Sequence, residues 1–194
     1  MPLFVTPTLQ TPRLVLREVR DEDWRQILHL RSDPQVNALV QRPLSKSKQD
    51  ALAFIRKVAG GNRTGEMIYW GIVLPAANQV VGSICLWQFS ADRKTAEVGY
   101  DLSVAAQGKG YMTEALQAVL DFGLADLGLT TVEAYTQSNN AASIKLLGRF
   151  GFRLLPDRKD ADNELNAVYS LNAETGLPDV QDEAAPSNEP PEND

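Results

Sequence analysis

The chain has 194 residues and a formal net charge of -6, enough length for one domain with a substantial core but cramped for two. The acidity is local: residues 173–194 hold seven acids and no Lys or Arg, which leaves 19 basic against 18 acidic residues before them, a balance of +1. A body so near neutral lacks the basic face of a nucleic-acid protein, and no run approaches the roughly 18 apolar residues of a membrane span.

The opening stretch, MPLFVTPTLQ, has no basic segment followed by a long apolar one, so no signal peptide is expected and the protein reads as cytoplasmic. RLVLREV (13–19) alternates and is β-branched, a strand. DEDWRQILHLRSDP begins with acids suited to a helix N-terminus, spaces Trp24, Ile27, Leu28 and Arg31 helically, and stops before Pro34. His29, the only histidine, falls off that stripe and belongs on the surface; with one histidine and one cysteine, no multi-His or Cys-rich metal site is available. Ser47 and Asp50 have capping-box spacing ahead of Leu52, Phe54, Ile55 and Val58, and Gly60-Gly61 is expected to end that helix.

Residues 68–104 carry three β-rich runs, IYWGIVL, VVGSICLWQF and AEVGYDLSV, whose short connections make an antiparallel meander. Cys85 lies in the second as a buried strand thiol with no histidine placed to activate it, and a lone cysteine suits a reducing compartment. Trp24, Trp70, Trp87 and Tyr69 read as core or pocket wall. From Met112 onward Leu116, Val119, Leu120, Gly123 and Leu127 define a helix face, followed by the strand TTVEAYT, the helix NAASIKLLGRF and the strands FRLL and LNAVYSLN. The expected fold is α/β (α+β), about seven strands in a mixed, mostly antiparallel sheet under about four helices. Residues 1–172 form the domain; 173–194, with four prolines and few large apolar groups, form an acidic tail expected to be disordered.

The most informative stretch is AAQGKGYMTEA (105–115), two glycines one residue apart at the mouth of a helix. A helix N-terminus leaves N–H groups unpaired and carries partial positive charge, and glycines let an anion approach the backbone, so Gln107 to Met112 reads as a diphosphate cradle. A tight turn that holds nothing is the plainer account. A P-loop needs four residues between its glycines and a Lys-Ser or Lys-Thr pair after the second, both absent. A dinucleotide fingerprint needs a third glycine where Thr113 stands; Glu133 sits about 20 residues on, as that reading wants, but the loop follows a meander in mid-chain.

TPRLVLRE near the start, AEVGYDL followed by QGKGYMTEA, and NNAASIKLLGRFGF, in that order, resemble the GNAT superfamily of N-acetyltransferases, with the RimJ/RimL-like ribosomal-protein alanine acetyltransferases as the branch most similar. The resemblance covers residues 8–172. It implies that acetyl-CoA is the acetyl donor and that main-chain amides from Gln107 through Gly108, Lys109, Gly110, Tyr111 and Met112 hold its diphosphate, with Met112 at a position where the family has a small residue. It also implies that the strand before the loop splays from its neighbour near Leu102, Ser103 and Val104, where the pantetheine arm adds like an extra strand. An N–H there would stabilise the thioester oxygen. Gly99 in that strand points to a bulge or a close backbone approach.

Acetyl transfer to an amine needs a base and, for the departing thiolate, an acid. Glu97, on the strand leading into the loop, is the first choice of base and would serve equally as a cross-strand partner for Lys or Arg; Asp160, Asp162 and Glu164, in the loop before the last strand, are alternatives that would equally attract a cationic substrate. Many GNAT members use a tyrosine as acid where this chain has Leu147. The RimJ/RimL-like branch implies Ser143 instead, with Asn140 on the pantetheine arm, although Asn140 and Ser143 also make an ordinary helix start. Lys145 is placed to reach a phosphate or simply to be solvated. The expected function is direct acetylation of a primary amine, small molecule or peptide, the branch resemblance implying a protein N-terminal α-amine, with no covalent enzyme intermediate. A noncatalytic coenzyme A-binding module and a dinucleotide-dependent oxidoreductase are the other readings. The oligomeric state is open, a homodimer included.

Overall fold

A computed structural model describes residues 5–175. Its strands are β1 (Leu9–Gln10), β2 (Val15–Arg17), β3 (Ile68–Leu74), β4 (Gln79–Trp87), β5 (Thr95–Leu102), β6 (Thr131–Gln137), β7 (Arg153–Lys159) and β8 (Asn166–Asn172). The helices are α1 (Trp24–Ser32), α2 (Pro34–Asn37), α3 (Lys48–Thr64), α4 (Tyr111–Asp121) and α5 (Ala141–Arg149). One sheet takes the strands in the order β1-β2-β3-β4-β5-β6-β8-β7, and every pairing is antiparallel except β5 with β6.

Two elements exceed the expected seven strands and four helices. Residues 9–10 pair with residues 15–16 as a hairpin too short to carry a periodic signal. The single turn α2 forms because Asp33 accepts from the Gln35 and Val36 N–H groups at 2.7 and 3.2 Å while Pro34 occupies the first helical position. The capping box at Ser47 and Asp50 is present, but α3 runs four residues past Gly60, to Thr64. Buried Asn62 on its last turn explains the extension: the side chain accepts from the Tyr69 N–H at 2.8 Å and donates to the Tyr69 carbonyl at 3.1 Å, tying that turn to β3. Gly65, at φ 71, then ends the helix in the left-handed conformation that glycine adopts without penalty. Ala173–Thr175, the first residues of the expected tail, form a 3-10 turn whose Ala173 N–H donates to Thr130. The remainder of the tail lies outside the described residues.

Strand alternation divides the core in two. Leu16, Trp70, Ile84, Leu86, Val98 and Val132 face α4 and α5, where Leu116, Leu120, Leu147 and Phe150 complete the larger cluster. On the opposite face α1 and α3 bring Ile27, Leu30, Ile55 and Val58 onto Tyr69, Val73 and Val80. Burying each of these aliphatic side chains contributes about 1.5–3 kcal/mol. The second cover extends over β2, β3 and β4, and β5 and β6 form the floor of a cavity on that face.

Candidate active site

Past Glu97 the sheet comes apart. β5 stays paired with β4 from Trp87↔Glu97 to Gly82↔Leu102, but with β6 it is paired only from Thr95↔Thr131 to Glu97↔Glu133. β6 meanwhile continues against β8 as far as Gln137↔Asn166. The two strands therefore both run on with a gap between them, and one edge of residues 98–102 has no strand beside it. A cavity of about 980 Å³ reaches this gap, walled by α1 and α3, by residues 39–42 and by the turn between β7 and β8.

Glu97 stands where the strands part and is half-buried. Burial pushes its carboxyl up to about 7, helped by the negative charges of Asp160, Glu133 and Asp162, while a hydrogen bond from the Trp87 indole offsets part of the rise. Its parallel neighbour Glu133 is fully engaged, paired with Arg158 and accepting from the Tyr135 hydroxyl at 3.0 Å. Of two carboxylates side by side, Glu133 is held by an arginine and Glu97 is left to exchange protons near neutrality. Asp160 and Asp162 also line the cavity, whereas exposed Glu164 lies outside it. Cys85 faces the same space, but burial pushes its thiol up to about 12, which leaves it protonated and a poor nucleophile.

Ser143 is buried on α5 and shares a 2.7 Å hydrogen bond with the Tyr100 hydroxyl, across the mouth of the gap from Glu97. Alternation puts Glu97 and Tyr100 on opposite faces of β5, and only the gap lets one cavity touch both. Burial raises the Tyr100 phenol to about 12, so it keeps its proton at neutral pH. Asn140 accepts from the Ser143 N–H at 3.2 Å and donates to Thr136 Oγ1 at 3.0 Å, capping α5 while lining the cavity. Leu147 is fully buried in the core and takes no part in the site; Lys145 is exposed.

The glycine stretch has the geometry of a cradle. Gly108 and Gly110 adopt φ of 72 and 75, Gly110 is the N-cap of α4, and no side chain caps that helix. The Tyr111, Met112 and Thr113 N–H groups have no intrahelical acceptor by helix geometry, and around Gly108 a Cβ would meet no atom within 4 Å. A bare backbone at an uncapped helix start fits a diphosphate. The loop is braced from the beginning of the chain: Arg13 donates to the Lys109 carbonyl at 3.0 Å, pairs with Glu114 at 2.6 Å and stacks 5.1 Å from the Tyr111 ring centre. Met112 packs its side chain against the core, away from the helix mouth. In the preceding segment Val104 is exposed, but the Ser103 N–H donates to the Val81 carbonyl at 2.8 Å and the Leu102 carbonyl accepts from the Gln107 side chain at 3.1 Å. Gly99 makes no bulge: it pairs in register with Cys85, and the sheet's irregularity in this region lies between Ile72 and Val73.

Tyr100 and Arg13 are the functional candidates that sequence reasoning passes over. Their partners stand 43 and about a hundred residues away, and nothing local marks them. Among the described residues no cluster of His, Cys, Asp and Glu is arranged to hold a metal ion, and no helix is long and apolar enough to cross a membrane.

Residues 13–153 match the family described as acetyltransferase (GNAT) domain. An N-acetyltransferase of Bacillus licheniformis named p20, itself uncharacterised, is 31% identical over 85% of this chain and 94% of its own length. A structure titled as a putative ribosomal-protein-serine acetyltransferase from Vibrio cholerae superposes with a TM-score of 0.73 at 26% identity, covering 88% of this chain and 99% of the other. The RimJ of Mycobacterium smegmatis, solved with CoA-disulfide, shares the fold at a TM-score of 0.74 and 22% identity over 90% of this chain and 91% of its own. This chain therefore belongs to the GNAT family, an acetyl-CoA-dependent N-acetyltransferase with RimJ/RimL-like neighbours.

Proposed function

We propose that the acceptor is a peptide or protein N-terminal α-amine, acetylated by direct attack in a ternary complex, with Glu97 as base and Ser143, backed by Tyr100, as proton donor. The observation that carries this reading is the carboxyl of Glu97, poised at about 7 in the cavity beside the gap. An α-amine has a pKa of about 8 and a lysine about 10.4, so a base near 7 removes the first proton roughly one unit uphill and the second more than three. That difference favours an α-amine. The name of the Vibrio cholerae neighbour, a ribosomal-protein acetyltransferase, supports a protein substrate.

The backbone amides of Gly108, Lys109, Gly110, Tyr111 and Met112 would hold the diphosphate of acetyl-CoA, with Gln107 bracing the turn. The free edge of β5 near Leu102, Ser103 and Val104 would take its pantetheine arm, with Asn140 opposite. When bound, acetyl-CoA supplies an acetyl group as a thioester whose thiolate must gain a proton as it leaves. Glu97 takes the amine's proton at its carboxylate, directly or through water. Ser143 holds a proton at Oγ that the Tyr100 phenol can replace through their hydrogen bond. The free cysteine suits a cytoplasmic enzyme.

The test is thiol release from acetyl-CoA across short peptides, polyamines and free amino acids. Peptides with free N-termini are expected to turn over fastest, and N-blocked peptides carrying an internal lysine not at all. Rapid turnover of polyamines alone would sink the reading.

A further inference from the structure

The acceptor cavity is electrically two-ended. Toward the gap stand Glu97, Glu133, Asp160 and Asp162 with Arg158 and Lys159; toward α1 and α3 stand Arg31, Arg42 and Lys57 with Asp101 as the acid among them. Asp101 is already satisfied, by Arg42 at 2.8 Å and by the Ser83 hydroxyl at 2.7 Å. Arg42 is equally committed, donating also to Asn37 at 2.6 Å and to the Leu30 carbonyl at 3.3 Å.

Arg31 is not. Among the described residues its side chain makes no hydrogen bond and no ion pair, and its Nε is buried without an acceptor. The guanidinium lies 3.8 Å over the Phe54 ring, which fixes its plane. Burial and the positive charge of Arg42 work against its ionisation, and Tyr69 and the charge of Asp101 offset only part of that, so a further anion at Arg31 would be stabilised. None of residues 102–112 lines this cavity, so the loop that would bind the diphosphate is not what Arg31 serves.

The spacing gives the anion's distance. Asp101, which marks the basic end, follows Glu97 by four residues of one strand, about 13 Å at 3.3 Å per residue. An extended peptide covers about 3.3–3.6 Å per residue. With its amine at Glu97, and allowing for the reach of two side chains, its third residue arrives at the basic end.

We infer that the preferred acceptor is a peptide bearing a carboxylate about three residues from its reacting amine, and that Arg31 is the residue that selects it. This rests on the N-terminal α-amine reading above. A planar guanidinium pairs with a carboxylate through two parallel N–H bonds, which gives selection by geometry as well as by charge. The carboxylate can be an acidic side chain at the third position or the C-terminus of a tripeptide.

The experiment compares kcat/KM, by thiol release, for peptides identical except for Glu, Gln or Lys at the third position, and for a tripeptide with a free or amidated C-terminus. The Glu peptide is expected to exceed the Gln peptide about tenfold in the wild-type enzyme, carried by KM. The tripeptide pair tells whether a terminal carboxylate serves as well. Arg31→Gln should bring the Glu-to-Gln ratio to about one, and Arg31→Glu should favour the Lys peptide. A wild-type ratio near one, a comparison that needs no variant, overturns the inference; so does a tenfold ratio that survives Arg31→Gln in protein whose melting curve is intact. In either case turnover of the peptides leaves the α-amine reading standing. Turnover of polyamines with no peptide acetylated overturns both.

Discussion

Residues 95–97 and 98–102 belong to one strand, yet the first three are paired with β6, Glu97 with β4 as well, and the rest with β4 alone. Among the residues held against β6, Ala96 is fully buried and packs as core. The stretch released from β6 carries Tyr100 and leads to the loop, and Glu97 alone is paired on both sides, at the junction. A strand released from a neighbour exposes main-chain groups and admits a cavity to both faces of a sheet, which an intact sheet cannot do. The candidate catalytic residues here sit where pairing stops.

The largest effect should come from the junction. Glu97→Gln is expected to lower kcat by about 10²–10³-fold, the usual contribution of a general base. Wild-type kcat/KM should rise with pH and level off above about 7, as Glu97 loses its proton; the variant's profile should lack that step. Stability responds in the opposite sense. Because the folded carboxyl titrates at about 7 and the unfolded one at its ordinary 4.5, the unfolded chain ionises first, and wild-type stability falls as pH rises through that window. The variant should therefore melt a few degrees above wild type at pH 8 and show no such gain at pH 4. A variant with full activity would break the comparison.

The released segment comes next. Ser143→Ala and Tyr100→Phe should each lower kcat about tenfold, and the double variant should be little worse than either single one, since they share one hydrogen bond. Additive losses would separate their roles. At the loop, Gly110→Ala forces a side chain into φ 75 with its Cβ 3.2 Å from the Arg13 guanidinium. The expected cost is about 1 kcal/mol of stability with a several-fold rise in KM for acetyl-CoA and little change in kcat. The smallest effect belongs to the intact flank: Cys85→Ala, opposite Gly99 on β4, should leave kcat within about threefold, because a thiol at about 12 does no covalent chemistry. Trapping of an acetylated enzyme at Cys85 would contradict direct attack.

What the sequence made legible was local. The Ser47-Asp50 box, the meander, and the glycines before α4 each announce themselves through spacing, because capping, alternation and positive φ are properties of a few adjacent residues. The end of α3 was misjudged because Asn62 answers to Tyr69, a contact that outweighs the weak helix propensity of Gly60 and Gly61. Glu97 could be nominated from its position, but its displaced titration depends on Glu133, Asp160 and Asp162, brought near only by folding. Tyr100 and Arg31 were invisible as site residues for the same reason: a phenol and a guanidinium look ordinary until their surroundings are known.

The brace from Arg13 to Lys109 and Glu114 bears on the order of assembly. Arg13 is made well before its carboxylate partner Glu114, which follows 101 residues later. Closing so long a loop is slow compared with forming a helix or hairpin. The glycine turn should thus be among the last parts of the domain to settle, and removing the Arg13 side chain would leave an otherwise folded protein with its turn unmoored.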